Sequence, residues 1–256
     1  MPGLAPQPLS HPTELASSRL ELEDGATTTL HVARFNRDAV RPRLMLLPRS
    51  QSLRAWCLTE DVRDAIVGGF FVRPGGAPLG ELRIQGSLLP SIPFDSPWSA
   101  VRSCLHIDGR AIRIAPRWAI AAEPEGDLLQ AGPLLVHGGV SRIHRDADPE
   151  GFSAGARQFD SDITRGRYPR AALAVAGGEL LAAVCDGRAR DQAGLTLAEL
   201  ATALVERGAE EAINLDGGGS TSLVVGGRLR NRPREEHGVR LPAGRPIATA
   251  IAFVPT

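Results

Sequence analysis

The stretch from Asn214 to Ser222 packs together an amide, a carboxylate, three successive glycines and three hydroxyls. Three glycines at the end of an apolar strand are costly in backbone entropy, so the position either needs positive dihedrals or admits a ligand against bare amides. Such amides bind anions, and Asp216, Ser220, Thr221 and Ser222 would rim them with one carboxylate and three hydroxyls. The competing reading is a tight turn between two strands, capped by the aspartate. Asp186-Gly187 offers the same choice between a turn and a functional corner, and Glu81, beside Gly80, is a reserve carboxylate.

Composition narrows the chemistry. Of 256 residues, 29 are basic and 29 acidic, and every basic one is an arginine. A chain without lysine forms no Schiff base, holds no pyridoxal phosphate and builds no P-loop. Arginine offers a rigid fork suited to planar and tetrahedral anions, although a GC-rich coding sequence enriches it without any function. Zero formal net charge argues against a nucleic-acid partner. The glycine run leads into a strand and not a helix, which removes the dinucleotide fingerprint. No apolar stretch approaches the ~20 residues that cross a bilayer, and the first residues lack a basic start with an apolar core. Cys57, Cys104 and Cys185 are widely spaced within or beside apolar runs, which points to buried reduced thiols and a cytoplasmic setting. His106, His137 and His144 are scattered, and no metal or cofactor is expected; Asp160 and Asp162 fit a solvated loop better than a cation site.

These groups must be positioned by many short strands and few helices. At 43% hydrophobic and 23% charged, the chain suits an α+β single domain over 18–256, a mixed β-sheet with a few packed helices, after a flexible tail over 1–17. Strands are expected over Arg19–Glu23, Thr27–Phe35, Arg43–Leu47 and Ile247–Val254, with Ile66–Phe71 interrupted by Gly68-Gly69. Hairpins turn at Asp108-Gly109 and Gly177-Gly178. A short helix is expected over Thr59–Ala65, and a longer one over Thr196–Arg207 from the capping box Thr196-Leu197-Ala198-Glu199. The polar segment 151–168 reads as a long loop.

Ala212-Ile213-Asn214-Leu215-Asp216-Gly217-Gly218-Gly219-Ser220-Thr221-Ser222, with Asn231-Arg232-Pro233 downstream, closely resembles the signature of the phosphodiester glycosidase family. The likeness continues through Gly68-Gly69-Phe70-Phe71, Gln130-Ala131-Gly132-Pro133-Leu134, Pro169-Arg170-Ala171-Ala172-Leu173 and Cys185-Asp186-Gly187-Arg188, in the family's order from about Val67 to the C-terminus. It implies hydrolysis of a sugar joined through its anomeric carbon to a phosphodiester, giving free sugar and a phosphomonoester. The alternatives are a glycosidase of the same fold acting on another glycan linkage, or a carbohydrate-binding domain without catalysis.

Carried onto this sequence, the resemblance implies Asp186, Asp216 and Arg170 as the catalytic set, since glycosidases use paired carboxylates and a cation can neutralise a leaving phosphate. Gly69, Phe70, Arg188, Asn214, Gly217, Gly218, Gly219, Ser220 and Thr221 are implied in substrate binding, with Arg170 and Arg188 gripping phosphate bidentately. Lysine at those two positions should impair activity, yet be tolerated at a surface arginine such as Arg145. Against the best-known family members, no signal sequence, disulfide framework or appended domain is expected here. Ala171 and Cys185 also stand where threonine and valine are frequent, so the sugar is expected to differ more than the reaction.

Overall fold

The computed structural model describes residues 12–73, 76–144, 147–153 and 163–256. Sheet accounts for 47% of the chain and helix for 12%, so the expected strand-rich domain is present with a smaller helical share than an α+β label conveys. A seven-stranded sheet runs in the order Glu14–Glu21, Thr27–Asn36, Glu179–Cys185, Arg170–Ala176, Glu211–Asn214, Leu134–His137 and Val140–Ser141. The second sheet orders Arg228–Leu229, Leu223–Val225, Ala65–Val67, Pro246–Pro255 and Val40–Ser52; the third orders Ala111–Pro116, Ser103–Asp108, Asp127–Gln130, Leu82–Ile84 and Ser87–Leu88. Every one of these strand pairs is antiparallel, so the sheets are not mixed.

Strand alternation sorts the central sheet between two cores. Along Arg170–Ala176, Ala171, Leu173 and Val175 join the core shared with the other two sheets, while Ala172 and Ala174 face the second core. That second core is closed by the helix Leu197–Val205, whose Leu197, Leu200 and Leu204 rest on the small side chains of Ala172, Ala174, Ala183 and Ala212. Each leucine so enclosed contributes about 1.5–3 kcal/mol. The helix begins as its sequence requires: the Thr196 hydroxyl accepts from the Glu199 amide, and the Glu199 carboxylate accepts from the Thr196 amide. Thr196→Ala is therefore expected to cost about 1 kcal/mol in urea denaturation. Glu199 also receives Arg167, which ties the helix start to the chain that enters strand Arg170–Ala176.

Two boundaries differ from expectation. The short helix is Leu53–Thr59 and not 59–65: Ser52 accepts from the Ala55 amide, and Leu53, Trp56 and Cys57 form its buried stripe. Thr59 closes that helix instead of opening one, and Asp61 already has φ of 52°. The first strand starts at Glu14, inside the segment expected to be tail, because its backbone pairs with Thr27–Asn36 along its whole length. The three cysteines are free and buried, and burial pushes the Cys57 and Cys185 thiols up to about 12. Among the described residues, no helix is long and apolar enough to cross a membrane.

Candidate functional site

Strand Glu211–Asn214 delivers the glycine run to a point where distant segments meet. The Asp216 amide donates to the Gly68 carbonyl, the Gly218 amide to the Pro169 carbonyl, and the Arg245 amide to the Gly219 carbonyl. Gly218 has φ of 60°, in the left-handed region that favours glycine, and opens the single 3-10 turn Gly218–Ser220. Beyond the turn, the buried Asn231 amide group donates to the Thr221 carbonyl, and its oxygen accepts from the Leu223 amide. The motifs around Gly68, Pro169 and Asn231, remote in sequence, thus hang the glycine run in place. All of these bonds are backbone-anchored, which fixes the position of the loop independently of its side chains.

Asp216 is the unusual group in this loop. The residue as a whole is half-buried, but its Oδ2 atom is enclosed and closes no hydrogen bond of good geometry, while Oδ1 accepts from the Gly217 amide. Loss of water raises the carboxyl to about 6, against the opposing pull of the Ser220 hydroxyl, Arg245, the Gly217 amide and Arg73. The orphaned polar atoms continue along the chain: Asn214 Oδ1 and the hydroxyls of Ser220, Thr221 and Ser222 are also enclosed without a hydrogen bond of good geometry. Folded proteins leave few such groups, and among the described residues most of them fall in this one segment.

Arginine surrounds the loop on one side. The Arg188 guanidinium lies so close to Gly218 that a Cβ there would stand 3.4 Å from both terminal nitrogens. Arg188 itself has φ of 58°, a left-handed conformation that only surrounding structure sustains in a non-glycine residue. Its Nη1 donates to the Arg234 carbonyl at 3.2 Å and lies 4.0 Å from Glu235 Oε2. Burial and the neighbouring Arg245 lower its affinity for a proton. Arg245 is held by Glu235 through both carboxylate oxygens, one bond being Nε to Oε1 at 2.6 Å. That ion pair, with Arg73 and Arg188 nearby, holds the Glu235 carboxyl below its usual range. A Cβ on Gly219 would meet Glu235 Oε1 at 2.8 Å, so this second carboxylate stands directly against the glycine run. Tyr168, the only tyrosine, sets its ring 5.9 Å from the Arg188 guanidinium carbon.

Several expected roles are reassigned by these contacts. Arg170 is 3% exposed, and its Nε, Nη1 and Nη2 donate to the carbonyls of Leu195, Ile163 and Gly166, so the fork expected on phosphate braces backbone. Asp186 is buried with both oxygens engaged, Oδ1 by the Arg232 amide at 2.6 Å and Oδ2 by His31 Nε2 at 3.3 Å. Phe70, implied in substrate binding, lies in the core 5.8 Å from the Phe152 ring, while Phe71 is half-buried. Gly69 is required by packing, since a Cβ would stand 2.9 Å from Leu129. Asn214 donates to the Gly132 and Leu215 carbonyls and stiffens the end of the strand. The expected row of anion-binding amides is mostly consumed: Gly217, Gly218, Ser220 and Thr221 all donate within the protein, and among the described residues the Gly219 amide alone of the five has no partner.

Sequence reasoning missed Glu235, Arg245, Tyr168 and Arg73. Arg234-Glu235-Glu236 follows Asn231-Arg232-Pro233 directly, and Gly244-Arg245 precedes the last strand, so proximity to a matched motif was the available signal for the first. Nothing local marks Arg245, whose place follows from its amide bond to Gly219. Glu81 is held by Arg83 and Arg117 in a network remote from the glycine run. Among the described residues no set of three His, Cys, Asp or Glu side chains gathers for a metal. Asp160, Asp162 and Arg145 lie outside the described residues.

A family model described as phosphodiester glycosidase matches residues 61–254. No curated protein matches the chain. Among solved structures, the zebrafish N-acetylglucosamine-1-phosphodiester alpha-N-acetylglucosaminidase catalytic domain, auto-inhibited by its pro-peptide, is similar at 20% identity and a TM-score of 0.70, with 94% of this chain and 82% of that one covered. A hypothetical protein from Synechocystis is similar at 18% identity and a TM-score of 0.62, over 94% of this chain but 62% of that longer one. At these identities the likeness shows a shared fold.

Proposed function

The chain belongs to the phosphodiester glycosidase family, and from that premise we propose that it hydrolyses the anomeric C–O bond of a sugar-1-phosphodiester, giving free sugar and a phosphomonoester. The observation that carries this reading is the enclosed Asp216 carboxyl on a glycine run against which the Arg188 and Arg245 guanidinium groups stand. A sugar phosphodiester offers the two complements such a surface needs, hydroxyls for the carboxyl and one negative phosphate for the guanidinium groups. Arg188 is the cation with donors to spare, since among the described residues only one of its nitrogens is hydrogen-bonded, and it neutralises the departing phosphate.

Phosphate is a good leaving group once its charge is neutralised, so a strong general acid is unnecessary. Asp216, ionised above about 6, supports positive charge developing at the anomeric carbon and accepts a proton from the incoming water. The anomeric C–O bond breaks, its electron pair leaves on the phosphate oxygen, and water supplies the new hydroxyl. Glu235 keeps Arg245 in place beside the loop. The three buried thiols favour a reducing compartment, so a cytoplasmic setting belongs to the same reading.

Product analysis tests the reaction. Incubation with a panel of sugar-1-phosphodiesters is expected to release free sugar with a phosphomonoester, and aryl glycosides without phosphate are expected to be poor substrates. Release of a sugar phosphate would mean that the P–O bond breaks and would overturn the mechanism. Preferred turnover of aryl glycosides would transfer the reading to a different glycan linkage.

A further inference from the structure

A second cleft of about 760 Å³ opens between Trp118, Pro133-Leu134, Ile143 and the segment at Thr164-Arg165. None of the groups assigned to the reaction lines it. Its charged side chains divide into two kinds. The acids are turned into the backbone: Glu150 accepts from the Ser103 amide at 2.7 Å and the Leu134 amide at 2.6 Å, and Asp148 accepts from the Phe152 and Ser153 amides. The arginines are not: among the described residues, the side chains of Arg142 and Arg165 line the cleft without a hydrogen bond or ion pair. The cleft therefore presents unused guanidinium donors, while each of its carboxylate oxygens already accepts a hydrogen bond from the backbone. At its wall the Ser103 hydroxyl, wholly buried, closes no hydrogen bond of good geometry, although it lies close enough to Glu150 to influence that carboxyl.

Trp118 supplies the other half of a recognition surface. Its residue is 71% exposed, yet it sits on a single 3-10 turn, Arg117–Ala119, which is firmly fixed. Arg117 is tied to Glu81 and to the carbonyls of Ile120, Ala121 and Ala122. An indole carried on a fixed turn has only its two side-chain torsions to lose on stacking, and its apolar face matches the C–H face of a pyranose. We propose that this cleft binds an anionic saccharide, with Arg142 and Arg165 on its carboxylate or phosphate and Trp118 stacked on a pyranose ring.

One segment of chain runs from the cleft to the glycine-run site. Thr164 and Arg165 line the cleft, and four residues later the Pro169 carbonyl holds Gly218. Arg170 grips both Ile163 and Gly166, so the intervening backbone is braced from beneath. An anionic glycan lying in this cleft would rest on the segment that leads to Pro169 without touching any group assigned to the reaction. Binding here does not depend on the reaction proposed above, and would persist if the chemistry at Asp216 were different.

Calorimetric titration of the full chain with trigalacturonate, its neutral methyl ester and glucose 6-phosphate tests the assignment. Wild type is expected to bind at least one charged probe and to bind the neutral ester about tenfold more weakly. Trigalacturonate binding identifies a carboxylate ligand and glucose 6-phosphate binding a phosphate one; both support the cleft, provided that the variants respond as follows. The Arg142→Ala/Arg165→Ala double variant should lose about tenfold in affinity and Trp118→Ala several-fold, while Arg188→Ala binds as wild type. Loss of affinity in Arg188→Ala, with the double variant unaffected, would place the ligand at the glycine run and overturn the proposal. Absence of binding by either charged probe would overturn it too. All three altered cleft side chains are at the surface, so folding is not at stake, and failure of turnover assays leaves this outcome unchanged.

Discussion

Asp216→Asn is expected to abolish turnover while making the fold more stable at neutral pH. In an unfolded chain an aspartate titrates near 3.8, but in the folded protein Asp216 titrates at about 6 because it has lost water. The folded state therefore holds this proton more tightly than the unfolded state does. Between those two values stability falls as pH rises, and above about 6 the full cost of the buried charge is present. A gap of that width between the folded and unfolded titrations corresponds to about 3 kcal/mol. Asparagine keeps an acceptor for the Gly217 amide and removes the charge, so urea denaturation at pH 7–8 should show a gain of about 2–3 kcal/mol. Below about pH 4 both proteins carry a neutral group there, and the difference should vanish. Turnover should fall about a thousandfold or more, as expected when a reacting carboxylate is removed.

The same ionisation orients the pH profile. If Asp216 acts as the carboxylate, kcat/KM rises with pH through about 6, and this limb disappears in Asp216→Asn. A descending limb at the same pH would make Asp216 the general acid. Stability and activity thus move in opposite directions at one residue, the pattern of a group retained for chemistry at a cost to the fold. A merely structural aspartate would show both falling together.

Much of this arrangement was legible because the relevant signals are local. The capping box at Thr196 and the hairpin at Gly177-Gly178 depend on neighbours in sequence, and the structure places both where the residues demand. The helix Leu53–Thr59 was missed because its cap, Ser52, ends a long strand and not a loop, so no turn residues announced it. The glycine run stood out as a candidate site, but the contacts of the groups around it did not. Whether an arginine faces ligand or backbone is decided by which carbonyls lie near its fork, and those of Leu195, Ile163 and Gly166 are set by tertiary packing. Asp186 and Asp216 likewise each precede a glycine, yet one accepts a hydrogen bond on each oxygen and the other has an enclosed oxygen that closes none of good geometry.

Arg170 and Arg188 are the sharpest test of that distinction. Lysine at Arg170 keeps the charge but offers a single ammonium where three nitrogens now reach three separate carbonyls. At a site only 3% exposed, the carbonyls left without donors and the imperfectly solvated ammonium should cost about 3–5 kcal/mol. Urea denaturation should show this loss, and any fall in activity should track the folded fraction. Arg188→Lys breaks one carbonyl bond at a half-buried position, so its stability should change by about 1 kcal/mol or less. Its kcat/KM should nevertheless fall about 10- to 100-fold, because a point charge cannot reproduce a fork against phosphate. Arg110, whose side chain is 70% exposed, serves as the tolerated control in place of Arg145. If Arg170→Lys instead retained wild-type stability and lost activity, the fork at Arg170 would return to the phosphate, and the bracing described for it would be secondary. If Arg188→Lys kept full activity, the cation beside Gly218 would act by charge alone, and the burden of orienting the phosphate would pass to Arg245 and the Gly219 amide.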